Sequence, residues 1–459
     1  MEQMTPENGT RLRKSWKRRI AYVLIVLLVV AVAAFLFWRR HLKSELQARL
    51  DELKAAGYPV TCKELDAWYS IPAGAENAAY PILDAAGYYT ELADANRQVV
   101  PIVGKAELPQ RSEPLADETR GVIGQFLADN SAALELLQEA AQIEHCRYPV
   151  DFTAGFNTLL PHLSDVRNLA RLAVLEAIFY AERHRPELAV QSIKCAFSVA
   201  GSLRNEPLPI SQLVRVASQR NTVEGLERLL NRTTLTDPQL LELACQTVDA
   251  QCSDAMSLAL AGELCHGVYV FQKPQTQYAF FEAINGKAPL RPLLVAYRAA
   301  GLADSDAVAY VDMMREYIRA CELPLSRRHK RMRAIDQDAR YRNISSFHIL
   351  ARALMPALAR AAELDLMAIA HVRTAQAAIA IERYRLATGV LPVSLADLVP
   401  EYLEAVPEDP FDGKALRYRK LEPGFVVYSI GPDQTDDGGK EKPRQNKDES
   451  YDITFIIER

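Results

Sequence analysis

The chain lacks the short motifs that usually announce chemistry. Its 459 residues contain no HExxH to hold zinc on one helical face and no GxxxxGK[ST] loop to cradle phosphates. They also contain no GxGxxG after a strand and no GxSxG elbow, so no motif points to a catalytic residue, although this does not exclude an enzyme whose groups converge only in three dimensions. Cysteine is sparse: seven residues, an odd count, with no CxxC. Cys245 and Cys252, if they share a helix, lie about 10 Å apart along its axis, too far to bridge. The cysteines are therefore expected to be free, buried thiols that pack as small apolar groups. Clustered cations are missing from most of the chain. Residues 1–40 hold eight Lys/Arg and two Asp/Glu, and the remainder carries 46 Lys/Arg against 56 Asp/Glu. A long acidic body is a poor nucleic-acid binder, because phosphates need grouped positive charge. With 49% hydrophobic and 24% charged residues, 20 Gly and 25 Pro, the composition is globular and excludes disorder or collagen as whole-chain readings.

One long apolar run is present. Ile20 to Trp38 carries no charge between Arg19 and Arg39. Nineteen helical residues reach about 28 Å, enough to cross a hydrocarbon core of about 30 Å. Trp16 and Trp38 bracket the run at the two headgroup levels. It ends Phe-Leu-Phe-Trp-Arg-Arg rather than in the small residues of a signal-peptide cleavage site. A retained single transmembrane helix over 20–38 is expected, with 1–19 as a basic cytoplasmic tail. Arg11, Arg13, Lys14, Lys17, Arg18 and Arg19 precede the span, and Arg39, Arg40 and Lys43 follow it. The larger group stays inside, so the bulk of the chain is expected in the periplasm of a bacterial inner membrane.

Beyond the span, Leu42, Leu46, Leu50 and Leu53 recur at helical spacing, and Glu45 precedes Arg49 by one turn. This predicts a stalk over 39–57 that Gly57-Tyr-Pro59 stops. Thr61-x-x-Glu64 reads as a capping box opening a short helix through Trp68, and 97–114 reads as the longest loop. An all-helical body of stacked hairpins is expected over 58–355, with helices near 209–231, 237–268 and 305–321. Its clearest pair is 164–203. There Ala177, Tyr180, Ala189, Ile193 and Ala196 fall about the turn His184-Arg185-Pro186-Glu187, at spacings similar to a tetratricopeptide hairpin. The next 34 residues do not repeat the pattern, so an ordinary antiparallel pair is the alternative.

Two clusters in the body admit more than one reading. Tyr269, Phe271, Tyr278, Phe280 and Phe281 form a groove, a membrane-contacting loop or part of the core. The run from Arg327 to Arg333 touches anionic lipid or an acidic partner, or is a solvated helix face. The eight histidines are scattered; Glu263 and His266 share one helical face but do not by themselves make a site.

The C-terminal module, 356–459, has its own order of signals. A long helix with Met367, Ala370, Thr374, Ala377, Ile381 and Tyr384 on one face ends at Gly389, and Ser394-x-x-Asp397 caps a short second helix. Alternation at Leu416–Arg419, the turn Glu422-Pro423-Gly424, and apolar runs at Phe425–Ile430 and Tyr451–Ile457 predict three strands. A long helix on a three-stranded antiparallel sheet accommodates all of them.

These residues resemble the C-terminal domain of the major, G-type pseudopilin of type II secretion systems. The matching pieces are Ile381-Glu-Arg-Tyr-Arg385 with Gly389 and Leu391-Pro392, then Leu395-Ala-Asp-Leu398 with Pro400, Tyr402 and Leu403. They continue through Val406-Pro-Glu-Asp-Pro-Phe-Asp-Gly413, Tyr418, Tyr428-Ser-Ile-Gly-Pro-Asp433 and Asp452-Ile453. The whole chain also resembles membrane-anchored helical bacterial proteins that end in such a module. In the family, the loop before the last strand binds calcium. The resemblance thus implies a structural calcium held by Asp433 and Asp452, with Asp437 and Asp448 as further ligands. The insert bearing Lys440, Lys442, Arg444 and Lys447 departs from the family and favours a solvated charged loop instead. The span lacks the pseudopilin processing site and its glutamate, so assembly as a pilus subunit is not expected.

The function expected from these features is a membrane-anchored extracytoplasmic scaffold or binding protein acting through a protein or envelope partner. The alternatives are an extracytoplasmic enzyme with a site in the helical body, and an accessory component of a secretion or pilus-like system.

Overall fold

The computed structural model describes residues 8–285, 291–338, 348–354, 358–443 and 449–459, and the fold is mainly helical. Helix α1 (Asn8–Ala55) runs without interruption through the apolar run and the stalk. Its segment from Arg19 is long and apolar enough to cross a membrane, and the apolar window is wholly uncovered. The helices α2 (Cys62–Trp68), α3 (Ala79–Tyr88), α4 (Asp117–Asp129) and α5 (Ser131–Ala140) follow. Thr61 caps α2 as its pattern predicts, with its hydroxyl accepting from the Glu64 N–H, while the Glu64 carboxylate reaches back to the Val60 N–H.

The pair expected at 164–203 is α6 (His162–Glu182) and α7 (Pro186–Gly201), joined by a turn in which His184 adopts φ 55°. Ala177, Ala189, Ile193 and Ala196 are fully buried in the seam. Next come α8 (Pro209–Arg232), α9 (Asp237–Ala250) and α10 (Ala255–Gln272). The single helix expected over 237–268 is thus two. The break at 251–254 survives because other elements take up carbonyls released at a helix end: Gln219 donates to Ala250 O at 3.0 Å and Arg328 to Ser253 O at 2.6 Å. The helices α11 (Pro274–Asn285), α12 (Arg291–Ala299), α13 (Leu302–Cys321), α14 (Leu325–Asp338), α15 (Ile349–Leu354) and α16 (Leu358–Thr388) complete the helical part. The expected start of the long C-terminal helix at Pro356 lies outside the described residues.

Helix α13 lies parallel to the stalk. Leu42, Leu50 and Leu53 of α1 are buried, and ion pairs flank them in step: Arg39–Asp304 at 2.8 Å, Arg49–Asp312 at 2.5 Å and Glu52–Arg319 at 2.8 Å. Gly389, at φ 77°, ends α16, and the short second helix follows as a single 3-10 turn over Leu395–Leu398, capped by Ser394 and Asp397 as its pattern predicts. Strands β1 (Arg417–Lys420), β2 (Phe425–Ser429) and β3 (Ile453–Ile457) form an antiparallel sheet in the order β1-β2-β3. Phe425, Val427, Phe455 and Ile457 point at α16 and share one apolar cluster with α6, α7, α8 and α9. The inner face of the sheet thus shares its core with the body, while Leu366, Ile369, Ala370, Phe411, Ile430 and Ile453 form a smaller apolar cluster within the module.

Buried Asp409 organises the module's turns. Its carboxylate accepts from the Phe411 and Ile430 N–H groups, from the Ser429 hydroxyl at 2.8 Å and from Arg417 at 2.6 Å. The two halves of the fold meet at Arg215 on α8, which donates to Asp365 on α16 at 2.6 Å, to Gln212 at 2.6 Å and to Gln219 at 2.9 Å. Both charged partners are buried. Removing one member of such a pair strands a charge, whereas removing both need not. Arg215→Met is expected to lower stability by about 3–5 kcal/mol in denaturant unfolding. Arg215→Met combined with Asp365→Leu is expected to recover most of that loss.

Candidate functional site

Helix α10 is apolar on nearly every side, and two polar residues interrupt it on one face. Glu263 and His266, three residues apart, point the same way as Val270. Both edges of that face are drawn close to neighbouring chain. At Gly262 a Cβ would sit 1.6 Å from the Pro207 carbonyl oxygen, and at Gly267 it would sit 2.2 Å from the Tyr310 ring. Tyr310 also donates from its hydroxyl to the Glu263 carbonyl at 2.7 Å, tying α10 to α13. Only glycine permits these approaches, so the position of the face between them is fixed.

The face opens into a cavity of about 440 Å³. Phe156, Leu160, Leu208, Leu213, Phe280, Leu354 and Leu358 line it, with Ile210 half exposed at 50%. Phe156 and Phe280 meet edge to face with centroids 5.3 Å apart. The aromatic cluster of the sequence is thus divided between roles: Phe271 and Phe280 are buried in the core, and Phe280 is also a cavity wall.

Burial alone pushes the Glu263 carboxyl up to about 7 and the His266 imidazole down to about 4. His266 Nε2 is buried with no hydrogen-bond partner. At neutral pH the cavity therefore presents a neutral imidazole and a carboxyl near its midpoint, against otherwise apolar walls. Such a surface suits an apolar ligand with one polar group, and a carboxyl poised near 7 is also suited to acid–base work.

The four aspartates singled out in the sequence are placed differently from one another. Asp433 is exposed and accepts from the Thr435 N–H at 3.1 Å within its own turn. Asp437 accepts from the Ser450 hydroxyl at 2.9 Å, and Asp452 from the Gly439 N–H at 2.7 Å. Asp437 Oδ2 and Asp452 Oδ1 are each buried without a partner. The Asp452 carboxyl is raised, chiefly by burial and further by the charges of Asp436 and Asp437. Asp437 and Asp452 are thus a pair that a cation could satisfy, while Asp448 lies outside the described residues. No group of three or more His, Cys, Asp or Glu suited to a metal occurs among the described residues. Calcium needs six to eight oxygens, so this pair would supply only one side of its shell.

Two other polar regions are structural in geometry. A cleft of about 680 Å³ lies between the 108–111 segment, α8, α16 and β3. Its Arg111 is already matched by Glu227, Glu441 and Glu458, and burial raises Glu227 to about 7 despite Arg111. In the body, His162 Nε2 meets Glu206 at 2.9 Å beside Ser211, three residue types of a hydrolytic triad. The Ser211 hydroxyl donates to Glu206 and not to the imidazole, and all three groups are buried, so no nucleophile is activated. The basic run lies on α14, where Arg327, Lys330, Arg331 and Arg333 are exposed while His329 and Met332 are buried, a solvated amphipathic face.

The sequence placed Glu263 and His266 on one face but carried no sign of the cavity. The signal that was available is the pair itself, two polar side chains in a helix apolar all round. Comparisons with protein-family models, with characterised proteins and with solved structures return no match.

The half-buried Glu263 carboxyl has a pH signature. Its raised value means that folded protein holds the Glu263 proton between about 4.5 and 7 while unfolded chain has released it. That contribution is complete below about 4.5 and is lost as pH rises through 7. His266, lowered to about 4 from 6.5, contributes in the opposite sense, and its part is lost as pH falls through 4. Glu263→Gln removes the first effect only. Relative to wild type, the variant is expected to gain about 1–3 kcal/mol between pH 5 and pH 8 in thermal unfolding. A gap that stays constant with pH would place the carboxyl in bulk water.

Proposed function

We propose that the protein is a single-pass, membrane-anchored binding protein whose helical body holds a mostly apolar ligand bearing one polar group. The observation that carries the ligand is the pair Glu263 and His266, both desolvated, with the imidazole lacking a partner in an apolar cavity. The uncovered apolar window of α1 supports the anchor, and the cation excess before Ile20 supports a cytoplasmic N-terminus with the body in the periplasm of a bacterial inner membrane. The C-terminal module serves as a pseudopilin-like cap through which a protein or envelope partner is engaged. Its Asp437 and Asp452 hold a structural calcium that pins β3. A second reading, an extracytoplasmic enzyme, is favoured by the Glu263 carboxyl alone, which near pH 7 can act as general acid or base on a group bound beside His266.

The ligand reading is tested with N-phenyl-1-naphthylamine titrated onto the full chain in phosphatidylcholine nanodiscs. Saturable fluorescence enhancement is expected, and Ala353→Trp, which fills the cavity, is expected to weaken it about tenfold or more. Equal enhancement in wild type and variant would mean that the probe resides in lipid and would remove the ligand. For the cap, calcium at millimolar concentration is expected to raise the unfolding temperature of the full chain, and Asp437→Asn with Asp452→Asn to abolish the rise. An unchanged transition would leave the loop a solvated charged segment.

A further inference from the structure

Helix α12 has its polarity inverted with respect to water. Pro292, Leu293, Val295, Ala296 and Ala299 are all exposed, Leu293 at 64% and Val295 at 66%, and no charged residue falls among them on that arc. The opposite side carries the polar contacts. The Tyr297 hydroxyl donates to Asp306 of α13, and Arg298 donates to the Phe271 carbonyl at 3.4 Å. A nine-residue helix turned this way leaves a contiguous apolar strip facing outward, unlike the scattered single apolar residues normal on a protein surface.

The place of the strip in the fold says what covers it. Gly301, two residues after α12 and at φ 73°, packs against Trp38, the last residue of the apolar run of α1. A Cβ at Gly301 would lie 2.9 Å from the Trp38 ring. The next side chain of α1, Arg39, pairs with Asp304 at 2.8 Å. Asp306, fully buried, also accepts from the N–H groups of Leu350 and Ala351, so α12, α13 and α15 are fastened together at the level of Trp38. A tryptophan closing an apolar span marks the headgroup level of a bilayer. Arg40, exposed on α1 two residues beyond Trp38, supplies a cation where lipid phosphates lie.

We propose that α12 lies in the headgroup region of the bilayer that α1 crosses, with Leu293, Val295 and Ala296 toward the acyl chains. The inference rests on the membrane-anchored reading above and adds a second, peripheral contact that the span alone does not require. Two contacts fix the body against the lipid, where one span would let it turn about the axis of α1.

The test is spin-label accessibility on the full chain in phosphatidylcholine–phosphatidylglycerol vesicles. Single nitroxides are placed at Leu293→Cys, Val295→Cys, Val29→Cys and Glu242→Cys, each with Cys245→Ser, because Cys245 is the exposed thiol among the described residues. Val29 lies within the apolar run and Glu242 on the exposed side of α9, so they report lipid and water. At Leu293 and Val295 the ratio of oxygen to nickel-chelate collisions is expected to be several-fold above that at Glu242, approaching that at Val29. If Leu293 and Val295 match Glu242 while Val29 remains in lipid, α12 lies in water and the proposal fails with the anchor intact. If Val29 also matches Glu242, the anchor itself is absent and the proposal falls with it. A circular dichroism melt of each variant keeps a misfolded protein from being scored.

Discussion

Two arginines that sit in the core on one helix set the arrangement of everything around them. Helix α8 carries Arg215 and Arg228, both almost fully buried, and a desolvated guanidinium is tolerated only where counter-charge and carbonyl oxygens converge on it. Asp365 of α16 answers Arg215, and Glu182 at the end of α6 answers Arg228 at 2.7 Å. Arg228 also holds the carbonyls of Gln110 and Glu113, so the long segment before α4 hangs on the same side chain. Buried pairs of this kind seldom add stability over an apolar core of equal volume. Their effect is selection: an arrangement that moves α16 or α6 away from α8 leaves a charge stranded.

That selection extends to the cavity. With α8 fixed, the Pro207–Leu208 segment entering it is fixed too, and the carbonyl of Pro207 sits where only Gly262 of α10 can face it. Tyr310 presses on Gly267 from the other side. Between these contacts α10 is held in place, and Glu263 and His266, each half-buried, remain against the apolar walls of the cavity. The shifts of both groups follow from packing decided at residues distant from them in sequence.

Much of the architecture was legible because it rests on local pattern. The charge-free run, the leucines of the stalk, the turn before Pro186, the stop at Gly389 and the period-two runs of the sheet each depend on neighbours within a few residues. The polar helix α8 was legible in its limits but not in its depth: Ser211, Gln212, Ser218, Gln219 and Thr222 are all buried, with Gln212 donating to the carbonyls of Leu203 and Glu206 and Gln219 to that of Ala250. The break after Ala250 was hidden for a related reason, since the groups that stabilise it come from Gln219 and Arg328. The aspartates of the last loop were visible as a cluster, but which of them keep an unpaired oxygen depends on Ser450 and Gly439, and no spacing rule encodes that.

The continuity of α1 has a mechanical consequence. No bend separates the apolar run from the stalk, and α13 is zipped alongside the stalk over three turns or more, so the two act as one stiff rod rather than as a tether and its load. On the membrane-anchored reading, the seventeen stalk residues from Arg39 to Ala55 extend about 25 Å from the bilayer. A change in bilayer thickness that leans the span by about 20° would carry the far end of that rod sideways by about 9 Å. The protein would then convert lipid thickness into lateral displacement, and whatever meets its outer surface would feel the composition of the membrane beneath it.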